Sequence, residues 1–111
     1  MSGVDVWITD GTPPSLELVP VPDLAEPVSV EPPPAGSAFR VVEFPPGASS
    51  GTHASETLDY VVVVRGEIVL VVGTDEVVLG PGDVVVQAGA SHNWVNRSQE
   101  PCLMAAVLLR R

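Results

Sequence analysis

The sequence predicts an all-β fold, a sandwich or barrel of short strands, and three observations carry that prediction. Valine fills 22 of the 111 positions and isoleucine 2, a β-branched bias that favours extended strands over helices. Ten glycines and 12 prolines punctuate the chain. From Ser37 onward they separate short apolar runs that lack any helical period. The length allows one domain with one modest core.

The chain divides into an N-terminal arm, residues 1–36, and a barrel domain, residues 37–111. Ten of the 12 prolines lie at or before Pro46, and residues 11–36 show no sustained period. Proline fixes φ and removes a donor, so this stretch is no central strand. It is expected to lie extended over the domain, where Leu16, Leu18, Val19 and Val21 would cover barrel surface. Val4–Ile8, Leu16–Val19 and Val28–Val30 are candidates to pair at a sheet edge.

The strands of the domain follow in order. Phe39–Phe44 is closed by Pro45-Pro46-Gly47. Leu58–Val64 ends at Arg65-Gly66, and Glu67–Val72 after it completes an expected hairpin. Gly73-Thr74-Asp75 turns the chain into Glu76–Leu79, and Gly80-Pro81-Gly82 turns it into Asp83–Gln87. His92–Asn96 and Cys102–Leu109 finish the set. Val61–Val64 and Val84–Val86 are apolar on both faces, whereas a strand with one wet face should alternate. Their outer face therefore needs cover, from the arm or from a second subunit, and a homodimer is expected.

Fourteen acidic residues oppose five basic ones, all Arg, for a net charge of −9. Nothing here builds the basic patch that nucleic acid or an anionic membrane surface requires. No apolar run approaches the ~20 residues of a membrane helix. No basic region precedes an apolar start, so a cytoplasmic protein is expected. Cys102 stands alone, which excludes an internal disulfide and reads as a small buried strand residue.

Two segments carry candidate chemistry. The first runs from Gly47 through His53, Ser55 and Asp59 to Gly66; the second runs from Gly82 through Gln87, Gly89 and His92 to Asn96. Together they resemble the two motifs of the cupin superfamily, G-x5-H-x-H-x3/4-E-x6-G and G-x5-P-x-G-x2-H-x3-N. Gly47, His53 and Gly66 keep the first spacing; Ser55 stands at the second histidine and Asp59 at the glutamate. In the second motif Gly89, His92 and Asn96 match, Gln87 replaces the proline, and the opening glycine is one residue closer. His53 to Tyr60, Arg65 to Ile68 and Gly82 to Gln87 are similar to a branch of single-domain cupins reading H-x-T-x-T-x-D-Y, G-E-I and G-D-V-V-V-Q. The resemblance covers roughly the last two-thirds of the chain. It implies a cupin jelly-roll β-barrel behind an extended proline-rich arm, and lends fold more than activity.

Beside the resemblance stands a parity argument. Residues two apart on a strand share a face. His53, Ser55, Thr57 and Asp59 share parity, as do His92, Trp94 and Asn96. If both faces point inward, two imidazoles and a carboxylate converge, a facial set that suits Fe(II) and its neighbours. His53, Asp59 and His92 are thus candidate ligands of a divalent metal, Fe, Mn, Ni, Cu or Zn, with Ser55, Trp94 and Asn96 lining a substrate pocket. Ser55 is a poor ligand, Asp59 is a methylene shorter than Glu, and Glu56 has the opposite parity. The plain alternative is a metal-free polar cluster, in which a carboxylate would raise a neighbouring histidine's pKa while burial opposes it. Such a pair can move protons on a bound substrate.

The resemblance therefore implies a small-molecule enzyme for oxygenation, decarboxylation, isomerisation or cyclisation, with a metal-free ligand-binding or sensing module as the rival. Tyr60 is expected to face outward, and Arg40 to face solvent, with an anchor for an anionic substrate as its alternative role. Gly80-Pro81-Gly82 is a turn and no phosphate loop, since no helix follows it.

Overall fold

The computed structural model describes residues 2–9, 32–52 and 54–111. The expected strands at Leu16–Val19 and Val28–Val30, most of the arm, and His53 lie outside the described residues. Eight strands run in order: β1 (Ser2–Thr9), β2 (Ser37–Phe44), β3 (Thr57–Arg65), β4 (Ile68–Val72), β5 (Asp75–Leu79), β6 (Val84–Ala88), β7 (Asn93–Val95) and β8 (Cys102–Arg110). Among the described residues there is no helix, and so none long and apolar enough to cross a membrane.

The strands form two antiparallel sheets, a five-stranded one in the order β1-β2-β8-β3-β6 and a three-stranded one in the order β5-β4-β7. From β5 onward the chain changes sheet at every step, the winding of a jelly roll. β1 includes the expected strand at Val4–Ile8 and adds to the sheet edge beside β2.

Alternation sets the inner face. On β3 Thr57, Val61 and Val63 are buried while Tyr60 and Val64 are exposed, as the valine pattern requires of one face. On β8 Cys102, Met104, Ala106 and Leu108 all turn inward. These residues pack with Phe44, Ile68, Leu70, Leu79 and Trp94 into one core between the sheets. Burial of apolar surface at about 25 cal/mol per Å² is what holds the sheets together. Cys102 is fully buried in this core, and burial pushes its thiol pKa up, which matches the strand-residue reading.

One turn departs from expectation. Arg65-Gly66 does not close a hairpin, because β3 and β4 belong to different sheets. Gly66, at φ +83°, is the corner where the chain crosses over. A Cβ there would meet the Pro101 carbonyl and the Cys102 Cα. The hairpin comes one element later, between β4 and β5, around Gly73. The Gly80-Pro81-Gly82 turn is as read: the Asp83 carboxylate accepts from the Gly80 N–H at 2.8 Å, and Gly82 N–H donates to Val63 O at 2.8 Å.

Candidate functional site

The segment leading to His53 is tied to the strand that follows His92. Gly47 N–H donates to Asn96 O at 2.8 Å, Asn96 N–H to Ala48 O at 2.9 Å, and Ser50 N–H to Trp94 O at 2.9 Å. The Ser50 hydroxyl accepts from Trp94 N–H at 3.0 Å, and Ser49 Oγ donates to Asn93 Oδ1 at 2.8 Å. Gly47 and Gly51, at φ +81° and +75°, turn the chain at the two ends of this segment. The two motifs, some forty residues apart in sequence, therefore meet along one strand edge.

His92 is buried beside this edge. Its Nδ1 lies 2.7 Å from the carbonyl oxygen of Ala90. A carbonyl only accepts, so Nδ1 carries a proton there and Nε2 is the ring nitrogen that could ligate. Trp94, buried two residues on, meets the imidazole edge to face at 6.3 Å and 81°. Trp94 belongs to the core and also forms a wall beside the ring.

Asp59 reaches inward from the opposite sheet. It shares the inner face of β3 with Thr57 and Val61, and its Oδ1 is buried. Its register partner on β6 is Gln87, whose side chain is also buried. The barrel interior thus presents a carboxylate from one sheet and an imidazole from beside a strand of the other. His53, the third expected member, lies outside the described residues. Among the described residues no group of three His, Cys, Asp or Glu side chains is gathered closely enough to hold a metal ion.

The other expected site residues divide. Ser55 Oγ and Thr57 Oγ1 share a hydrogen bond of 2.9 Å, so the residue at the family's second histidine is engaged with its neighbour on the strand. Ser55 also lines an open cavity of about 410 Å³, with Glu56, Thr57, Ala88, Gly89 and Arg111. That cavity lies at the end of β3 and its lining does not include Asp59, His92 or Trp94. Glu56 is turned away as its parity requires, and its carboxylate takes a 2.8 Å ion pair from Arg111 that holds its pKa down.

Asn96 corrects the expectation of a pocket residue. Its side chain is fully buried, and its Nδ2 donates to Phe44 O at 2.9 Å and Glu100 O at 2.8 Å. Its Oδ1 accepts from Ser98 N–H at 2.9 Å and Ser98 Oγ at 2.7 Å. All of its amide capacity is spent on locking the corner before β8.

Arg40 corrects the expectation of a solvent-facing strand residue. It is 8% exposed and shares the inner face of β2 with Ala38 and Phe44, while its neighbour Phe39 is 43% exposed on the outside. Gln87 and Arg40 are inner polar residues whose burial the sequence reading did not expect. The available signal was parity with Val85 on one strand and with Phe44 on the other.

Comparison with known proteins agrees with this architecture. Residues 40–108 match the Cupin domain family. Over 66 residues the chain is 48% identical to "Phomopsin biosynthesis cluster protein C'" of Diaporthe leptostromiformis, covering 59% of this chain and 35% of that protein. It is 38% identical over 78 residues to the "Cupin-domain-containing oxidoreductase srdB" of Neurospora crassa, covering 68% of this chain and 40% of that one. The matched region thus spans well under half the length of these relatives. Among solved structures, a sugar phosphate isomerase of the cupin superfamily from Silicibacter pomeroyi superposes with a TM-score of 0.60 at 31% identity, over 68% of this chain and 51% of that one.

Proposed function

The chain belongs to the cupin family, and from that premise we propose that it is a cytoplasmic small-molecule enzyme whose barrel interior takes an organic metabolite beside a divalent metal. The metal would be held by His53, Asp59 and His92. One observation carries the reading: His92 and Asp59 approach the barrel interior from opposite sheets, with the His92 ring set by the Ala90 carbonyl. A metal-ligating histidine characteristically donates its other N–H to a carbonyl or carboxylate, which fixes the ring and points the lone pair at the ion. The described members of the set therefore fit a divalent metal in donor chemistry. A bound metal would supply Lewis acidity and an open coordination position.

The chain's own residues do the remainder. The His92 Nε2 lone pair accepts a proton or a metal and not both, so its role is settled by occupancy. An ionised Asp59 carboxylate would favour a cation in the interior. Trp94 packs edge to face beside the His92 ring and forms one wall next to it. Gln87, facing Asp59 on the neighbouring strand, is placed to donate to a carboxylate or a bound oxygen. The relatives' names include an oxidoreductase and an isomerase, and metabolite oxygenation or isomerisation are the reaction classes we favour.

A second reading, a metal-free ligand-binding module, draws support from Ser55, which stands at the position of the family's second histidine and is hydrogen-bonded to Thr57. One experiment separates the two. The protein, purified without an affinity tag, is reconstituted with Fe, Mn, Ni, Cu or Zn in turn and its metal content measured in the parent, His92→Ala, Asp59→Ala and Ser55→His. The enzyme reading expects stoichiometric metal in the parent and loss in both alanine variants. A parent that binds nothing while Ser55→His does would establish the metal-free reading.

A further inference from the structure

Arg40 is a cation that the fold takes inside. The chain has five basic residues, all arginine. Arg65, Arg97 and Arg111 are exposed and Arg110 is half-buried, whereas Arg40 is 8% exposed. Two of the others meet surface carboxylates: Arg97 pairs with Glu76 at 2.6 Å and Arg111 with Glu56 at 2.8 Å. Arg40 stands on the inner face of β2 with Ala38 and Phe44. Its row on that face continues through Ala106 of β8 and Val61 of β3 to Val85 of β6. The neighbouring row reads Ala38, Leu108, Asp59, Gln87. Two strands and one two-residue step therefore separate Arg40 from Asp59, about 12 Å between Cα atoms at ordinary sheet spacing. A small organic molecule can bridge that span.

We propose that Arg40 is the anion-binding residue of the barrel interior, and that the metabolite taken there carries a carboxylate, which the Arg40 guanidinium holds while the rest of the molecule lies toward Asp59 and His92.

The inference rests on the interior site of the proposed function and names the class of substrate that site takes. Three arguments support it. The first is the cost of burial. A guanidinium taken out of water is strongly penalised, and an apolar side chain of similar volume would fill the space beside Ala38 and Ala106 at lower cost. A charge kept in so small a core is explained by something it binds. The second is charge balance. With a metal held at Asp59 and His92, the Asp59 charge is committed to the ion, and an organic anion is the group that balances the ion and Arg40 together. The walls of the row, Ala106 and Val61, are apolar and buried, so water and salt screen such a pair little. The third is the match of head group to donor. A carboxylate carries one charge and presents two oxygens in a plane, which the planar guanidinium fork meets with two parallel hydrogen bonds. A phosphate carries more charge and calls for further donors, and among the described residues no second arginine is buried.

The test is equilibrium binding to the full chain as purified, measured by calorimetry with three probes that share a phenyl ring and differ in head group: benzoate, benzamide and phenyl phosphate. The parent should bind benzoate about tenfold tighter than benzamide, and tighter than phenyl phosphate. Arg40→Gln should weaken benzoate about tenfold and leave benzamide nearly unchanged, so that the preference disappears. Arg40→Lys, which keeps the charge and loses the fork, should fall between the two. A change that only loosened the barrel would weaken both probes alike, so the ratio is the readout, with circular dichroism and the melting temperature verifying the fold. Should Arg40→Gln fail to fold, the parent's own ratio and Arg40→Lys decide the matter. Arg97→Gln, at an exposed position paired with Glu76, should keep the parent's preference. A parent that binds none of the probes, or does not distinguish benzoate from benzamide, overturns the proposal. So does an Arg40→Gln variant that keeps the preference, since the carboxylate would then be held elsewhere. Phenyl phosphate bound tightest, and lost in Arg40→Gln, overturns the carboxylate assignment in favour of a phosphate. Metal content measured on the same samples separates this inference from the enzyme reading. A protein without metal that prefers benzoate through Arg40 keeps the former and sinks the latter; one that holds metal and shows no preference does the reverse.

Discussion

Gly66 packs directly against the backbone of Pro101 and Cys102: a Cβ on it would strike the Pro101 carbonyl oxygen and come within 2.9 Å of the Cys102 Cα. This contact is where the chain leaves one sheet and enters the other, and it seats the start of β8 against the end of β3.

Gly66→Ala should therefore cost about 3 kcal/mol, from a left-handed backbone at φ +83° and a collision with main chain that cannot step aside. Gly73→Ala, at φ +60° with nothing near its Cβ position, should cost about 1 kcal/mol from backbone strain alone. Urea unfolding of both variants checks the difference. Equal losses would mean that the Pro101 contact contributes nothing.

Asn96→Ala should cost about 3 kcal/mol or more. It strands the buried carbonyls of Phe44 and Glu100 and removes the acceptor for Ser98. Metal content and ligand binding of the surviving folded fraction should match the parent, because the amide locks a corner and does not face the interior cluster. A variant that folds as well as the parent but loses binding would restore Asn96 to the pocket.

The Glu76–Arg97 pair predicts a small pH effect with a definite sign. Its two hydrogen bonds, at 2.6 and 2.8 Å, hold the Glu76 carboxyl below the usual carboxylate range. A depressed folded-state pKa means stability that is present above the unfolded value and lost as pH falls through the folded one. Glu76→Gln should thus be less stable than the parent at neutral pH and indistinguishable from it in strong acid. Added salt should narrow the neutral-pH gap, since both groups are solvent-exposed. A gap that persists in acid would point to packing as its cause.

Cys102 should resist thiol reagents in the native protein. It is fully buried, and the same burial raises its pKa and starves it of thiolate. Labelling should follow unfolding in denaturant and remain slow at pH 8 without it. Rapid native labelling would show that β8 opens locally.

Much of the site's geometry is legible along single strands. Period-two alternation places His92, Trp94 and Asn96 on one face and Asp59 with Thr57 on another, and both faces turn inward. The same rule sends Glu56 and Tyr60 outward. The chain's Gly and Pro pairs mark most turns, and each expected strand from Phe39 onward exists within a residue or two of its reading.

What alternation cannot supply is which of two faces is the inside. On β2 the pattern offers Phe39 or Arg40, and hydropathy chooses Phe39. The protein buries Arg40, because β2 lies beside β8 and its register puts Ala38, Arg40 and Phe44 over the core. Asn96 is a similar case: its parity is correct, but only the folded loops reveal that four hydrogen bonds hold it in place.

The sequence by itself determined a valine-built all-β domain, the turns between its strands, and the facing sets that carry His92 and Asp59. Those follow from local sterics and from a two-residue period that needs no distant partner. The tertiary structure alone decided that Arg65-Gly66 crosses between sheets, that Arg40 lies inside and Phe39 outside, and that the two motifs meet between Gly47–Ser50 and Trp94–Asn96. Each of these depends on contacts between segments distant in sequence, and the energy of such a contact is defined only once both partners are in place.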